Sequence, residues 1–391
     1  MEAKKWFGVN KNIVLLGMVS FFTDVSSEMI FSVFSIFFTI ILGASTVLLG
    51  LVEGLADLAA SSLDFVSGYL SDRTGKRKIF ASIGYCFSTL AKTILLFKNS
   101  VILAFAFRVT ERLGKSFRGP PRDAWISSLA DKKNKGFSFG VHKTLDKAGA
   151  ILGPFIAYGI LKLYGQSSST FQLLFRMALV PAILSVLLLL LIKKEKRIEP
   201  TKKENMFKAY KTLGKDFKHY LSATGIFSLA YFSFGFLMLK AYSVGFAIKD
   251  VVLLYALFNV SFVIVAAPIG KLGDYIGRQK VIAFEYVLYC IMCIGFIIAT
   301  TKAHVIWLFV LFGFFYAIDE SQSKAYITDL EESKKATAIG VYNFLTGLFY
   351  LPASVIAGYL WKLNPSYSFG FAALLALVAF VFFIKPRKKS N

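Results

Sequence analysis

Acidic and basic side chains lie inside long apolar stretches of this sequence, where an unpaired charge is costly. Asp24 and Glu28 are four residues apart in one such stretch, so a helix would present both carboxylates on one face. Arg108 and Arg112, also four apart in another stretch, would present two guanidinium groups in the same way. Charges in such surroundings either hold each other in a static pair or mark a path for protons and ions.

Further polar residues in the apolar stretches form a wider group of candidates for contact with a solute. Aromatic residues at helical spacing, such as Tyr231, are more often core or lipid-facing than part of a binding site, and that alternative stays open here. Asp319 and Glu320 are adjacent and point in different directions, so at most one of them faces a common cavity. The candidates are Glu111, Lys115, His142, Lys143, Asp146, Tyr231, Lys240, Asp319, Glu320 and Asn343.

The composition is that of a polytopic membrane protein. The 391 residues are 56% hydrophobic and 16% aromatic, with a mean hydropathy of +0.62, which is too apolar for a soluble chain of this length. The formal net charge of +22 would suggest a nucleic-acid partner in a soluble protein. Here the cations cluster at the ends of the apolar stretches, as topology signals and contacts with anionic lipid headgroups do. We therefore expect membrane lipids and no nucleic acid as partners.

Twelve stretches are long and apolar enough to predict membrane-spanning helices, and the predicted fold class is all-α. Their approximate bounds are 13–41, 46–70, 79–97, 101–129, 136–163, 170–192, 221–247, 250–273, 281–300, 304–329, 335–362 and 366–384.

The basic residues orient these predicted helices. They precede the first stretch and follow the second, fourth, tenth and twelfth, whereas the opposite loops carry only scattered lysines. By the positive-inside rule, both termini face the cytoplasm of a cell whose plasma membrane the chain spans. The one long hydrophilic connection divides six stretches from six. It predicts an N-terminal bundle over residues 1–192, a cytoplasmic linker over 193–220 and a C-terminal bundle over 221–391.

A short basic turn between two apolar stretches occurs twice, roughly two hundred residues apart. The first copy has Gly68, Leu70, Asp72, Arg73, Gly75, Lys76 and Arg77, and the second has Gly270, Leu272, Asp274, Gly277, Arg278 and Lys280. These copies resemble the signature loops that join helices 2 and 3 and helices 8 and 9 in the major facilitator superfamily of secondary transporters. The resemblance covers nearly the whole chain.

The resemblance implies two pseudo-symmetric six-helix bundles that work by alternating access, with helices 1, 4, 7 and 10 around a central cavity. From a helical rise of about 1.5 Å per residue, Asp24 and Glu28 would lie ~16 and ~22 Å from the cytoplasmic face. Arg112 and Arg108 would lie at similar depths, ~14 and ~20 Å. Together, depth and resemblance would let Asp24 meet Arg112 and Glu28 meet Arg108. Such pairs are either a static network or a proton-coupling device in which a carboxylate exchanges its arginine for a proton.

The two signature loops would also act as a conformational latch on the cytoplasmic side. In this interpretation Asp72 and Asp274 lock helix ends in the outward-open state and release them in the inward-open state. The latch residues would be Gly68, Asp72, Arg73, Gly75, Arg77, Asp274, Gly277 and Arg278.

Two further motifs occur in helices 4 and 5. The stretch Arg118-Gly-Pro-Pro-Arg-Asp-Ala124 is similar to one found in a bacterial subgroup of facilitator transporters, and its prolines predict a kink that frees backbone carbonyl groups. Gly149-x-x-x-Gly153-Pro154 resembles part of a motif associated with exporters. Close packing of two helices is the alternative explanation for these glycines.

The resemblance implies a secondary active transporter. An enzyme is not expected, because zinc, nucleophile-elbow and complete phosphate-loop motifs are absent. Basic groups slightly outnumber acids in helices 1, 4 and 5, which favours a partly anionic organic solute, such as a carboxylate or a metal-chelating siderophore, moved together with protons. A proton-coupled antiporter that exports amphipathic drugs is the alternative. We expect a monomer whose partners are a small-molecule substrate and protons, with no cofactor and no metal site.

Overall fold

The computed structural model describes residues 5–6, 8–130, 135–192, 210, 213–331 and 335–385. A short hairpin joins β1 (Lys5–Trp6) to β2 (Val9–Asn10), and α1 ends in a π-helical turn, Phe37–Ile41. The helices are α1 (Lys11–Ile36), α2 (Thr46–Thr74), α3 (Arg77–Phe97), α4 (Val101–Leu129), α5 (Lys135–Tyr164), α6 (Ser168–Leu190), α7a (Lys215–Ala230), α7b (Gly235–Ser243), α8 (Ile248–Ile276), α9 (Arg278–Ile298), α10 (Lys302–Leu330), α11 (Lys335–Leu363) and α12 (Pro365–Ile384).

The prediction of an all-α integral membrane protein is confirmed. Among the described residues, ten segments are long and apolar enough to cross a membrane, with α7a and α7b counted as one segment. The two remaining long helices, α4 and α5, carry many charged side chains and are not among the ten. Each predicted stretch nevertheless lies on a helix, because an apolar run must satisfy its backbone hydrogen bonds internally.

The seventh predicted span differs from its prediction because it consists of two helices. The first ends at Ala230, and the backbone of Tyr231 is extended, with φ −86° and ψ 102°. The second helix begins at Gly235, whose amide donates a hydrogen bond to Ser233 Oγ at 3.1 Å just before the helix. The break places Tyr231 among three aromatic rings, with ring centroids 5.3–6.0 Å away, and these belong to Tyr289, Phe315 and Tyr350.

The chain divides into two compact units. The first comprises Met1–Ala44, Leu55–Lys203 and Ala247–Ala256, and the second comprises Ser45–Gly54, Glu204–Phe246 and Leu257–Asn391. Within the second unit, Thr46 at the start of α2 donates a hydrogen bond to the Gly358 carbonyl of α11 at 3.0 Å. Within the first, the Ile248 amide at the start of α8 donates to Gln166 at 2.8 Å. The bundle boundaries at residues 192 and 220 stay a prediction.

In the first unit, α1 packs against α5 and α6, and α3 packs against α4. The approach of α1 to α5 depends on Gly149 and Gly153. A Cβ atom at Gly153 would lie only 2.7 Å from the carbonyl oxygen of Val25, and one at Gly149 would overlap the backbone of Phe21. This geometry supports the packing explanation of the Gly-x-x-x-Gly motif.

Gly153→Val should therefore destabilise the protein by about 2 kcal/mol, because the added side chain overpacks the contact between α1 and α5. The measurement is thermal unfolding of purified protein in detergent. Gly159→Val is the matched control, since a Cβ atom there meets no neighbouring atom within 4 Å. Equal unfolding temperatures for the two variants would contradict the packing argument.

In the second unit, α9 packs against α12 and α10, and α7a packs against α12 and α11. The interior between these helices is aromatic. The ring of Phe227 on α7a lies 4.5 Å from that of Tyr286 and 5.1 Å from that of Tyr289, both on α9. Tyrosine hydroxyl groups are thereby placed among hydrocarbon side chains, where they must find polar partners.

Candidate functional site

The two acids of α1 are buried in the first unit. Asp24 is 8% exposed and Glu28 is 7% exposed, because α5 and α6 cover this helix. Glu28 Oε2 accepts a hydrogen bond from the hydroxyl group of Tyr255 on α8. Tyr255 was not predicted, because it lies among apolar residues more than two hundred positions away along the chain.

The predicted pairs of acids and arginines are not formed. Arg112 Nη2 lies 2.7 Å from Asp57 Oδ1 on α2, in place of Asp24. The guanidinium carbon of Arg108 lies 4.3 Å from the ring centroid of Phe31, in a cation–π contact. Matching depths bring two residues to the same level of the membrane, but they do not fix the direction in which each helix face points. The pairing prediction was wrong for this reason.

Asp24 lies in a field of mixed charges. It is attracted by Lys115 and Arg118 of α4 and repelled by the carboxylates of Glu28 and Asp146. The predicted residues Asp24, Glu28, Lys115 and Asp146 are thus brought together electrostatically, with acids contributed by α1 and α5 and bases by α4. Such a cluster is sensitive to the gain or loss of a single proton.

A second group of predicted residues surrounds Arg122 of α4. Ser20 Oγ on α1 lies 3.0 Å from His142 Nε2, 2.9 Å from the hydroxyl oxygen of Tyr85 and 3.4 Å from Arg122 Nη1. The same Arg122 nitrogen lies 3.7 Å from Asp146 Oδ1. Lys143 also contacts this carboxylate, with Nζ 3.8 Å from Oδ2. The sequence predicted the three residues of α5, but it did not predict the serine and tyrosine that join them to α1 and α3.

The double proline of α4 lies inside a helix that continues to Leu129. Pro120 cannot donate the hydrogen bond that the Ser116 carbonyl would otherwise accept. That carbonyl instead accepts a hydrogen bond from Ser67 Oγ of α2 at 3.2 Å. The freed group predicted from the sequence is therefore used to join α2 to α4.

A buried charge on α3 escaped the sequence analysis. Lys92 is fully buried, and its ammonium group has no hydrogen-bond partner among the described residues. It is attracted by Glu111 of α4, which is also fully buried and accepts a hydrogen bond from Ser27 at 3.3 Å through Oε1, while Oε2 has no partner in the same part of the chain. Lys92 has no charged residue three or four positions away on its helix, so periodicity gave no signal.

The second unit holds a smaller polar cluster. Asp319 of α10 accepts a hydrogen bond from Ser323 at 3.4 Å and is attracted by Lys324. Glu285 of α9, which the sequence analysis did not single out, is 1% exposed and is repelled by Asp319. The predicted residues Glu320 on α10, Lys240 on α7b and Asn343 on α11 are half-buried.

Both signature turns contain a glycine in the left-handed region, with φ +65° at Gly75 and +94° at Gly277. Arg77 Nη1 donates a hydrogen bond to the Ala124 carbonyl near the end of α4 at 3.0 Å. Arg278 lies 2.6 Å from Asp274 and 2.7 Å from Asp329 near the end of α10. Each turn thereby holds its following helix to a neighbour of the same unit.

Three further predicted latch residues belong to the first signature motif. Gly68 faces Pro120, since a Cβ atom there would lie 3.3 Å from the proline ring, and Arg73 is exposed. The side chain of Asp72 lies outside the part of the chain that the structure describes.

Comparison with known proteins gives concordant matches. Residues 16–248 and 220–391 match the family model described as Major Facilitator Superfamily. An MFS-type transporter of Methanocaldococcus jannaschii is 36% identical over 379 residues, covering 95% of this chain and 94% of that protein. Multidrug resistance protein 2 of Bacillus subtilis is 21% identical over 342 residues, covering 83% and 82%. The crystal structure of the nucleoside transporter NupG covers 96% of this chain and 100% of its own, with a TM-score of 0.77 at 13% identity, which shows a shared fold.

Proposed function

The chain belongs to the major facilitator superfamily, and from that membership we propose that it is a proton-coupled symporter of a partly anionic organic solute. Members of this family are membrane transporters, so the protein is an integral membrane protein that moves a small molecule and is not an enzyme. We further propose that the protein lies in the plasma membrane as a monomer, with both termini in the cytoplasm.

The buried acids of α1 are the observation that carries the proposal. Glu28 accepts a hydrogen bond from Tyr255, and Asp24 is attracted by the bases Lys115 and Arg118 but repelled by the acids Glu28 and Asp146. A conformational change that separates either carboxylate from its partners while it stays out of water leaves a charge that a proton neutralises. Alternation between a partner and a proton is a physical basis for coupling solute movement to a proton gradient.

The proposed class of solute rests on the basic groups that α3 and α4 place near these acids. Arg108, Lys115, Arg118 and Arg122 all lie on α4, and Lys92 lies opposite them on α3. An anionic group of a solute would offset this positive charge better than a cation would. Carboxylates and metal-chelating siderophores carry such groups.

Export of amphipathic drugs in exchange for protons is the second candidate. It is favoured by the similarity to a protein named for multidrug resistance and by the aromatic rings around Tyr231. The Gly-x-x-x-Gly motif of α5 adds no support for export, because the packing of α5 on α1 accounts for both glycines.

The experiment that tests the proposal measures proton movement in liposomes that contain purified protein and an internal pH dye. The panel of solutes spans organic acids, ferric chelates and cationic drugs. Acidification of the interior when an organic acid or ferric chelate is added outside, beyond that of protein-free liposomes, would support symport. Proton release from the interior when a cationic drug is added outside would support the antiporter instead and overturn the symport proposal.

We also propose that the second signature turn affects the rate of conformational exchange. Arg278→Ala removes both ion pairs of this turn, so turnover should fall about tenfold, or ~1.4 kcal/mol in the barrier. The measurement is the initial rate of transport, with the unfolding temperature measured in parallel. Lys280→Ala removes an equal charge from the same turn at an exposed position and should transport normally. A normal rate for Arg278→Ala would argue against the latch.

A further inference from the structure

A carboxyl group lies in the interior of the second unit, and no counter-charge acts on it among the described residues. Glu285 is 1% exposed, and its Oε2 has no hydrogen-bond partner among the described residues. It belongs to α9, which packs against α12 and α10. This carboxyl group takes no part in the cluster on α1 that carries the proposed function.

The charged and titratable groups around Glu285 come from a few elements. Residues 365–384 of α12 contain no Asp, Glu, Lys, Arg or His, and from α10 the group that acts on Glu285 is the carboxylate of Asp319. Lys324 and Glu320 act on Asp319 itself. Other titratable groups of this interior are the hydroxyls of Tyr220 on α7a, Tyr286 and Tyr289 on α9, Tyr326 on α10 and Tyr342 on α11, together with the thiol of Cys293 on α9 and the ring of His219 on α7a, which stacks on Phe382.

The tyrosines lie in a connected polar group at the centre of this aromatic interior. Tyr220 interacts electrostatically with both Glu285 and Asp319. The Tyr286 hydroxyl lies 3.4 Å from Thr224 Oγ1, and Ser323 donates to Asp319 at 3.4 Å. Two carboxyl groups thus lie in one aromatic interior, and within the part of the chain that the structure describes, the charge that acts on Glu285 has the same sign as its own.

An ionised carboxylate in this position would be unstable, because its desolvation is not offset by a cation and is made worse by a second acid. Protonation removes this desolvation cost, because one new O–H bond neutralises the carboxylate. A metal ion would offset the charge less well, since hard cations take about six oxygen ligands and Oε2 of Glu285 has no hydrogen-bond partner among the residues that the structure describes.

We infer that Glu285, with Asp319 beside it, forms a second proton-binding site in the protein. Glu285 holds the proton while the aromatic interior is closed, and its O–H bond breaks and the proton passes to water when the interior is hydrated. The inference rests on the proposed proton coupling for its role in transport, but not for the binding of the proton itself.

Infrared spectroscopy of the purified full-length protein tests the site. The difference between spectra in H2O and in D2O reveals the carbonyl stretch of a protonated carboxyl group. At neutral pH the wild type should show such a band, and Glu285→Gln should lose it. Glu331→Gln is the matched control, because it neutralises another buried acid of the same unit, next to the end of α10, and should keep the band. Labelling glutamate carboxyl groups with carbon-13 should shift the band in the wild type, and an unshifted band would overturn the inference even if a variant does not fold.

Two results would overturn the inference. One is a band that is unaffected by Glu285→Gln and by glutamate labelling, and the other is loss of the wild-type band when sodium replaces choline in the buffer, which would indicate a metal-ion site. Because the band is recorded without a solute, it separates this site from the proposed function. If the band behaves as expected but no solute moves protons in liposomes, the proposed function fails and the proton site stands.

Discussion

Glu28→Gln should abolish the accumulation of solute against its concentration gradient while leaving solute exchange intact. Glutamine preserves the shape of the side chain and can still accept the hydrogen bond of Tyr255, but it cannot take up a proton. The protein would then bind and exchange solute without coupling to the proton gradient. The measurement compares uptake driven by a pH gradient with counterflow at equal pH in the same liposomes.

Tyr255→Phe is the companion variant for this prediction. It removes the hydroxyl group that donates a hydrogen bond to Glu28, but it leaves the carboxyl group of Glu28 in place. Accumulation should therefore persist in Tyr255→Phe at an altered rate. Asp24→Asn extends the test to the second acid of α1, and proton-driven uptake at the wild-type level in both Glu28→Gln and Asp24→Asn would refute the role of these acids.

Lys92→Met should destabilise the protein by about 3 kcal/mol, since it leaves the buried carboxylate of Glu111 without the base that attracts it most strongly. Glu111→Gln should have an effect of similar size, because it leaves the buried ammonium group of Lys92 uncompensated. The double variant should recover most of the loss, as buried pairs replaced together often cost little. Equilibrium unfolding of all three variants in detergent gives the coupling energy between the two sites.

Lys98→Met is the control for the loss of a lysine on the same stretch of chain, because Lys98 is exposed just beyond the end of α3. Its unfolding free energy should remain within about 0.5 kcal/mol of the wild type. If the losses of Lys92→Met and Glu111→Gln simply add in the double variant, the two buried groups do not interact and the assignment is wrong.

The helices were predictable because each depends on a local property. An apolar run of about 20 residues has few alternatives to a helix in a membrane. The signature turns were predictable for a similar reason, since Gly75 and Gly277 adopt a backbone conformation that other residues avoid. The buried acids of α1 were found because a charge inside an apolar run is conspicuous on its own.

The contacts between helices were not predictable, because they depend on rotation as well as depth. The depth of Arg112 was estimated from the sequence, but its partner, Asp57, was determined by how α2 and α4 face each other. Lys92 and Glu285 are each alone on their helix faces, so only tertiary structure reveals what surrounds them. The break at Tyr231 occurs without a proline, in a segment where Tyr231 packs against aromatic rings of other helices, so no local sequence signal predicted it.

The charge content of α4 has a consequence for biosynthesis. A helix with this many ionised groups is not expected to leave the translocon for lipid on its own, since each such group near the bilayer centre costs about 3 kcal/mol. The order in which the helices are synthesised lowers this cost of insertion. Asp57 and Lys92 lie on α2 and α3, which are synthesised before α4, so the partners of Arg112 and Glu111 are already in the membrane when α4 emerges from the ribosome.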